Sequence, residues 1–226
     1  MKRRITLLHA SPAAVAPLMN YYSAAAPELE ITNILEDGIL RLLAAGNLSA
    51  VERRLHNMIA AAVEDYDAEL VMMTCSSVPK GMLKALRDEA EVPLLKIDEP
   101  MARCAVSAGA HIGVAVTFPP TRETTHRLLQ DAAEEAGVQV EISDEVLPLA
   151  YRALLAGDLE THDAVLLAGI DRLAESGAEA IVLAQVSMAR VLLKARERVS
   201  VPVLTSLDSS LDAIREILSL EALEVQ

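Results

Sequence analysis

Aromatic side chains are scarce in this sequence, which has no Trp and a single Phe among 226 residues although 52% of its residues are hydrophobic. The core of the folded protein must therefore be aliphatic, as is typical of helices packed on a parallel sheet. No apolar run reaches the roughly twenty residues needed to span a bilayer. The length is sufficient for one large domain or two small ones, each with its own core.

Positive charge is also in short supply. There are 20 Lys and Arg residues against 33 Asp and Glu residues, which gives a formal net charge of -13. This balance argues against a nucleic acid or an acidic membrane surface as a partner. It is compatible with a small anionic substrate, because local backbone dipoles can outweigh the global charge.

The sequence has only two cysteines, Cys75 and Cys104. The first follows an apolar run and the second lies in a helix-like segment, so the pattern predicts no structural disulfide and a cytoplasmic protein with reduced thiols. Small apolar neighbours predict that Cys104 is packed in the core. Residues 1–4 lead into a strand-like run that is too short for the apolar region of a signal peptide.

Sequence motifs for nucleotides and metals are missing as well. The chain has no Gly-x-Gly-x-x-Gly, no P-loop and no cluster of His and Cys residues with ligand spacing. We therefore expect neither a cofactor nor a metal ion.

The chain is organised around the stretch Leu70–Val78, an apolar run that ends in Cys75 and two small hydroxyl residues. The run predicts a buried strand that stops at a turn, with a helix beginning near Gly81. Open α/β sheets bind ligands at the carboxyl ends of their strands. The helix amino terminus after the turn favours an anion and lowers the pKa of a nearby thiol. The alternative is a small buried hydrophobe without chemistry.

The segment Ala68–Val78, which includes this stretch, has a second copy at Ala178–Met188, where Gln185 falls opposite Cys75. Two further pairs of segments repeat in the same order, residues 41–48 with 152–159 and residues 92–95 with 201–204. Three matched segments in one order indicate a duplicated unit.

The predicted fold is α/β, with two similar doubly wound parallel-sheet halves related by a pseudo-two-fold duplication. Residues 1–98 and 205–226 are assigned to the first half, and residues 99–204 to the second. We expect the carboxyl ends of the matched strands to build one active-site cleft, with Cys75 on one wall and Gln185 on the other.

Other polar residues also follow predicted strands. Ser11 follows the first strand and Thr117 ends a later one, where α/β units present ligand contacts. A Ser-Pro helix start explains Ser11 equally well. Thr121 is a candidate for holding a carboxylate or for capping the next helix. A further prediction is a helix from residue 47 to about residue 65 that is capped by Ser49.

The segment Thr74–Ser77, in a two-half α/β chain with a second copy of its motif at Gln185, resembles the aspartate/glutamate/hydantoin racemase superfamily. The resemblance covers nearly the whole chain and includes the first strand, the strand Gly113–Thr117 and the strand at 201–204. In that family two cysteines flank the substrate α-carbon, one removing a proton and the other delivering it to the opposite face. By this resemblance Cys75 matches the first cysteine.

Gln185 stands at the position of the second cysteine, and an amide does not exchange protons near neutral pH as a thiol does. The resemblance implies a cofactor-independent isomerase or racemase-like enzyme that acts on a small carboxylate of the amino acid, hydantoin or dicarboxylate type. Cys75 would be its proton-transfer base or nucleophile. Relatives with a single working cysteine imply two alternatives, cis-trans isomerisation by thiol addition and decarboxylation of a malonate-like diacid. A non-catalytic carboxylate-binding protein is the remaining alternative.

The site implied by this resemblance combines the catalytic positions Cys75 and Gln185 with hydroxyl and backbone N–H groups that hold an oxyanion or enediolate. The expected substrate-binding residues are Ser11, Ser76, Ser77, Thr117, Thr121, Val186 and Ser187. The expected partners are a small anionic carboxylate and further copies of this chain, in a homodimer or a higher homo-oligomer, without nucleic acid or membrane.

Overall fold

The computed structural model describes residues 2–220, and the first part of the chain forms a parallel sheet of four strands. The strands are β1 Arg3–His9, β2 Leu29–Leu35, β3 Leu70–Met73 and β4 Leu94–Lys96. Their order in the sheet is β2-β1-β3-β4. The central strand β3 is short, apolar and buried throughout, and the last five residues of β1 are buried as well, which is typical of a parallel sheet covered on both faces.

The later part of the chain forms a second parallel sheet of four strands. They are β5 His111–Val116, β6 Glu141–Val146, β7 Ala180–Leu183 and β8 Val203–Leu204. Their order is β6-β5-β7-β8, which repeats the order of the first sheet strand for strand. The predicted α/β fold with two duplicated halves is confirmed.

Helices connect the strands and cover the sheets. Within residues 2–220 the α-helices are α1 Val15–Ala25, α2 Gly38–Ala44, α3 Leu48–Glu64, α4 Lys80–Glu89, α5 Glu99–Ala108, α6 Thr121–Ala136, α7 Pro148–Leu155, α8 Leu159–Glu175, α9 Leu192–Arg198 and α10 Ser206–Ile217. Two short 3-10 helices lie at Pro12–Ala14 and Val186–Val191.

The repeated segments 41–48 and 152–159 are the same helix-turn-helix connection in both halves. Each turn contains a glycine with positive φ, +67° at Gly46 and +76° at Gly157, a conformation that costs other residues energy. The next residue, Asn47 or Asp158, caps the following helix by accepting a hydrogen bond from the N–H three residues ahead, over 3.2 and 3.0 Å. The sequence repeat therefore reflects the local chemistry of a turn.

Two predictions of local structure are wrong. Asn47 caps α3 and Ser49 does not, because Asn47 is the last residue before the helix while Ser49 lies inside its first turn. Cys104 is exposed, because it lies on the side of α5 that faces away from the core. The face of α5 that is buried carries Pro100, Met101, Ala102, Ala105 and Val106.

The chain divides into two compact units, one formed by the residues up to Ile97 and those from Ser210 onward, the other by Asp98–Ser209. In the second unit, neighbouring residues of β7 pack into different hydrophobic clusters. Val182 packs in a cluster with residues of α5 and α6, whereas Ile181 packs in a cluster with residues of α7 and α8. Helices thus cover both faces of this sheet.

Neither cysteine forms a disulfide, as predicted. Among the helices of residues 2–220, none combines the length and the apolar character that a membrane crossing requires.

Candidate active site

Cys75 lies two residues beyond the end of β3, at the carboxyl end of a fully buried strand. Its side chain is 9% exposed and packs in the core of the first unit with Val51 and Val78. The Val78 N–H donates to the Cys75 carbonyl over 3.4 Å, within the turn that leads to α4. The thiol therefore lies at the rim of an apolar core and at a strand end.

Thr74, the residue before Cys75, is fixed to β1 by hydrogen bonds. Its backbone N–H and its hydroxyl each donate to the Leu8 carbonyl over 3.0 Å. The hydroxyl also lies 2.9 Å from Nδ1 of His9, a fully buried imidazole whose Nε2 is 2.9 Å from Asn33 Oδ1. Burial lowers the pKa of His9, and the contact with Asn33 opposes this only in part, so the ring is neutral near pH 7.

Acid should destabilise the protein partly through His9. Because the pKa of His9 is lowered by folding, the unfolded chain binds a proton that the folded chain does not bind once the pH falls below the unfolded value of about 6.5. We expect the free energy of unfolding, measured by urea titration, to decrease from about pH 7.5 to about pH 5.5, and to decrease less in a His9→Asn variant. An equal decrease in both proteins would contradict this assignment.

Lys96, the last residue of β4, is 2% exposed and lies against the same turn. Its Nζ is 3.4 Å from the carbonyl oxygen of Ser76, the residue after Cys75. Neither His9 nor Lys96 was among the site residues predicted from the sequence. Each is a polar residue that ends a strand directly after two leucines, which is the pattern that could have identified them.

Gln185 lies two residues beyond β7, and three donors hold its side-chain oxygen. The Thr117 N–H donates to Gln185 Oε1 over 2.7 Å, and the Thr117 hydroxyl donates to it over 3.0 Å. The Phe118 N–H contributes a third contact of 3.4 Å. We call this set of donors, at the carboxyl end of β5, the amide cradle.

The amide cradle fixes which end of the Gln185 amide is presented to the surroundings. Two of the donors are backbone N–H groups, so the atom that they hold must be the carbonyl oxygen. No acceptor among residues 2–220 lies within hydrogen-bond distance of Gln185 Nε2, and the side chain is partly exposed. The two N–H donors of Gln185 Nε2 are therefore not used by the amide cradle.

The turn after Gln185 is tethered to α8. It contains Val186, which is buried, and Ser187, which is partly exposed. Two atoms of Arg190 donate to the carboxylate of Asp163 over 2.6 and 3.3 Å. Burial opposes ionisation of Asp163, but hydrogen bonds from Arg190 and from a buried histidine of α8 outweigh it and lower the pKa of Asp163. The ionised carboxylate holds this turn in place.

The remaining predicted binding residues also follow strands. The hydroxyl oxygen of Ser11 accepts a hydrogen bond from the Ala13 N–H over 3.3 Å, so Ser11 caps the first 3-10 helix. Thr121 is the first residue of α6 and is almost completely buried. Ser76 and Ser77 are partly exposed in the turn after Cys75.

Residues 55–214 match the Asp/Glu/Hydantoin racemase family, a range that includes both Cys75 and Gln185. The chain belongs to this family. The resemblance seen in the sequence is thereby confirmed, and the match supports a racemase-like enzyme.

Individual relatives of this racemase-family chain are distant. Glutamate racemase of Vibrio campbellii is 26% identical over 102 residues, which are 45% of this chain and 38% of that protein. The chain thus matches about two fifths of the length of this curated relative.

Solved structures with the same fold cover nearly the whole chain. Aspartate racemase of Picrophilus torridus has a TM-score of 0.73 and 13% identity, and the match covers 97% of this chain and 96% of that one. A liganded double mutant of arylmalonate decarboxylase, with one glycine changed to cysteine and one cysteine to serine, has a TM-score of 0.59 and 16% identity, with 95% and 92% covered. At such identities the likeness shows the fold alone.

Proposed function

We propose that this racemase-family protein is a cofactor-independent isomerase that acts on a small carboxylate of the amino acid, hydantoin or dicarboxylate type through one thiol, Cys75. The observation that supports this most is the amide cradle. Gln185, at the position matching the family's second cysteine, has its oxygen held by three donors, so it supplies fixed N–H groups and no proton-transfer group. Cys75 is then the one thiol at this pair of matched positions.

Each group of the site has a role in this proposal. Backbone N–H groups and hydroxyls at Ser76 and Ser77 hold the substrate carboxylate beside Cys75. Gln185 Nε2 donates to the carboxylate or to the oxyanion that develops from it. The N–H and hydroxyl of Thr117 already donate to Gln185, so Thr117 is a positioning residue for Gln185 and not a direct substrate ligand.

For a substrate with an acidic α-hydrogen, the Cys75 thiolate takes the proton, and the electron pair of the C–H bond moves into the adjacent carbonyl or carboxylate group. When the thiol returns a proton to the same face, the substrate is regenerated with its α-hydrogen exchanged. When the planar intermediate turns over before the proton returns, the α-carbon is inverted; in both cases the carbonyl bond forms again. For an unsaturated diacid, sulfur adds to one carbon of the double bond, the resulting single bond rotates, and elimination expels the thiolate. Neither cycle needs an oxidant, a reductant or a further co-reactant.

A single thiol should exchange the α-hydrogen faster than it inverts the α-carbon, because it removes and returns the proton on one face. We expect NMR in D₂O to record deuterium incorporation into an amino acid, hydantoin or dicarboxylate substrate about tenfold faster, or more, than loss of optical activity. Equal rates of incorporation and inversion would contradict a single-thiol cycle.

Decarboxylation of a malonate-like diacid is the second candidate. It needs only one acid, which protonates the enediolate left by loss of carbon dioxide, and Cys75 meets that need without a second thiol. The likeness to the arylmalonate decarboxylase fold makes this chemistry worth testing. Release of labelled carbon dioxide, with one solvent deuterium entering the product, would identify it. A chain that binds these carboxylates but neither exchanges, isomerises nor decarboxylates them would be a binding protein.

We also propose that the protein is a cytoplasmic homodimer or higher homo-oligomer. This part of the proposal rests on the resemblance and on thiols that stay reduced in that compartment. Light scattering coupled to gel filtration tests the assembly, and a monomer at all concentrations would exclude it.

A further inference from the structure

Lys96 is an unusual residue because its side chain is almost completely removed from water. Only 2% of its surface is exposed, and lysine is rarely buried to this degree in a folded protein. Burying an ammonium group costs free energy that must be offset elsewhere. The groups that lie against the Lys96 ammonium must therefore offset this cost.

The backbone places Lys96 beside the turn that carries the thiol. Lys96 is paired with Met73 across β3 and β4, and the Ile97 N–H donates to the Met73 carbonyl over 3.0 Å. The side chain then extends past the strand ends, where Nζ lies 3.4 Å from the Ser76 carbonyl oxygen. Standard backbone dimensions place the ammonium within roughly 10 Å of the Cys75 α-carbon.

We infer that Lys96 is the positioning residue that keeps Cys75 in its thiolate form, by placing a buried positive charge against the Cys75–Ser76 turn and fixing the Ser76 carbonyl. A cation beside a thiol favours the thiolate, and low exposure strengthens the interaction because water does not screen it. This inference rests on the proposed function, since it assigns a role to Lys96 only if the thiol is the reacting group.

Other charged residues do not replace Lys96 as the cation at this turn. His9, which reaches the turn through Thr74, has a pKa lowered by burial and is neutral near pH 7. Lys80 is exposed at the start of α4, where water screens its charge. Asp98, two residues after Lys96, is buried and has the opposite charge, so it cannot favour a thiolate.

The test is the rate at which iodoacetamide alkylates Cys75 as a function of pH, followed by mass spectrometry in a Cys104→Ser background that removes the exposed thiol. Lys96→Met removes the charge with little change of length. Lys84→Met is the matched control, because Lys84 is exposed on α4 of the same unit. We expect Lys96→Met to raise the midpoint pH of alkylation and to slow alkylation about tenfold at pH 7, and Lys84→Met to change neither.

The midpoint pH separates this role from a structural one. A looser turn would change the plateau rate at high pH and leave the midpoint unchanged. If Lys96→Met does not fold, Lys96→Gln, which removes the charge but keeps an N–H donor, gives the same readout. A low midpoint in the parent that neither variant raises would overturn the role of Lys96 and leave the proposed function standing. A parent midpoint near the free-thiol value of about 8.5 would overturn the proposed function itself.

Discussion

Replacing Cys75 by alanine is expected to lower kcat/KM by about a thousandfold or more, because the proposed cycle has no second group that removes and returns the proton. The measurement is α-hydrogen exchange, or turnover where a substrate is identified. Cys75→Ser should lose nearly as much, because a serine hydroxyl is far less acidic than a thiol. The expected effect is the largest that any single substitution in the chain should produce.

Stability must be measured with the same variants, because Cys75 packs in the core of the first unit. Loss of one buried sulfur should cost on the order of 1 kcal/mol, which leaves a folded protein. Cys104→Ser is the matched control, since Cys104 is exposed and its substitution should leave the rate unchanged. A folded Cys75→Ala variant that keeps a tenth of the activity would contradict thiol catalysis.

Replacing Gln185 by glutamate is expected to lower kcat/KM by about a hundredfold or more, chiefly by raising KM. The two side chains have nearly the same shape, and one carboxylate oxygen of glutamate can take the place of Oε1 in the amide cradle. The other oxygen then stands where Nε2 stood. An acceptor with negative charge replaces two donors and repels a substrate carboxylate.

Two further variants distinguish the effect of the added negative charge on kcat/KM from the effect of a disturbed amide cradle. Thr117→Val removes the hydroxyl but keeps the backbone N–H, so it should loosen Gln185 and reduce kcat/KM by only about tenfold or less. Gln185→Met removes the two N–H donors without adding charge, so its kcat/KM should lie between that of Thr117→Val and that of Gln185→Glu. An unchanged KM in a folded Gln185→Glu variant would show that the amide does not contact the substrate.

Most of the fold could be predicted because both halves of the chain contain the same short sequence patterns, and each pattern determines the structure of its own segment. The apolar runs before Cys75 and Gln185 have the length and flanking turns of buried parallel strands, and both form such strands. The repeated turns around Gly46 and Gly157 keep the positive φ that each connection requires. Patterns of this kind are set by residues close together in sequence, which is why sequence analysis can detect them.

The chemistry around these positions was less predictable because it depends on residues far apart in sequence. The amide cradle joins Gln185 to Thr117 across 68 positions, and the contact of Thr74 with His9 spans 65. No local pattern reports such a contact. Thr117 was expected to bind substrate directly, whereas its donors are directed to Gln185.

The side on which a helical residue lies was also difficult to predict. Small apolar neighbours of Cys104 suggested burial, but the register of α5 turns Cys104 outward. Likewise, both Asn47 and Ser49 are good helix caps, and only the observed start of α3 decides between them. A shift of one or two residues in helix register reverses such assignments.

The most direct test of the central claim is alkylation of Cys75 in the Cys104→Ser background, measured against pH with and without small carboxylates. We expect a midpoint pH well below the free-thiol value of about 8.5, and protection by at least one amino acid, hydantoin or dicarboxylate. Slow alkylation with an ordinary midpoint and no protection by any of them would contradict thiolate chemistry at Cys75.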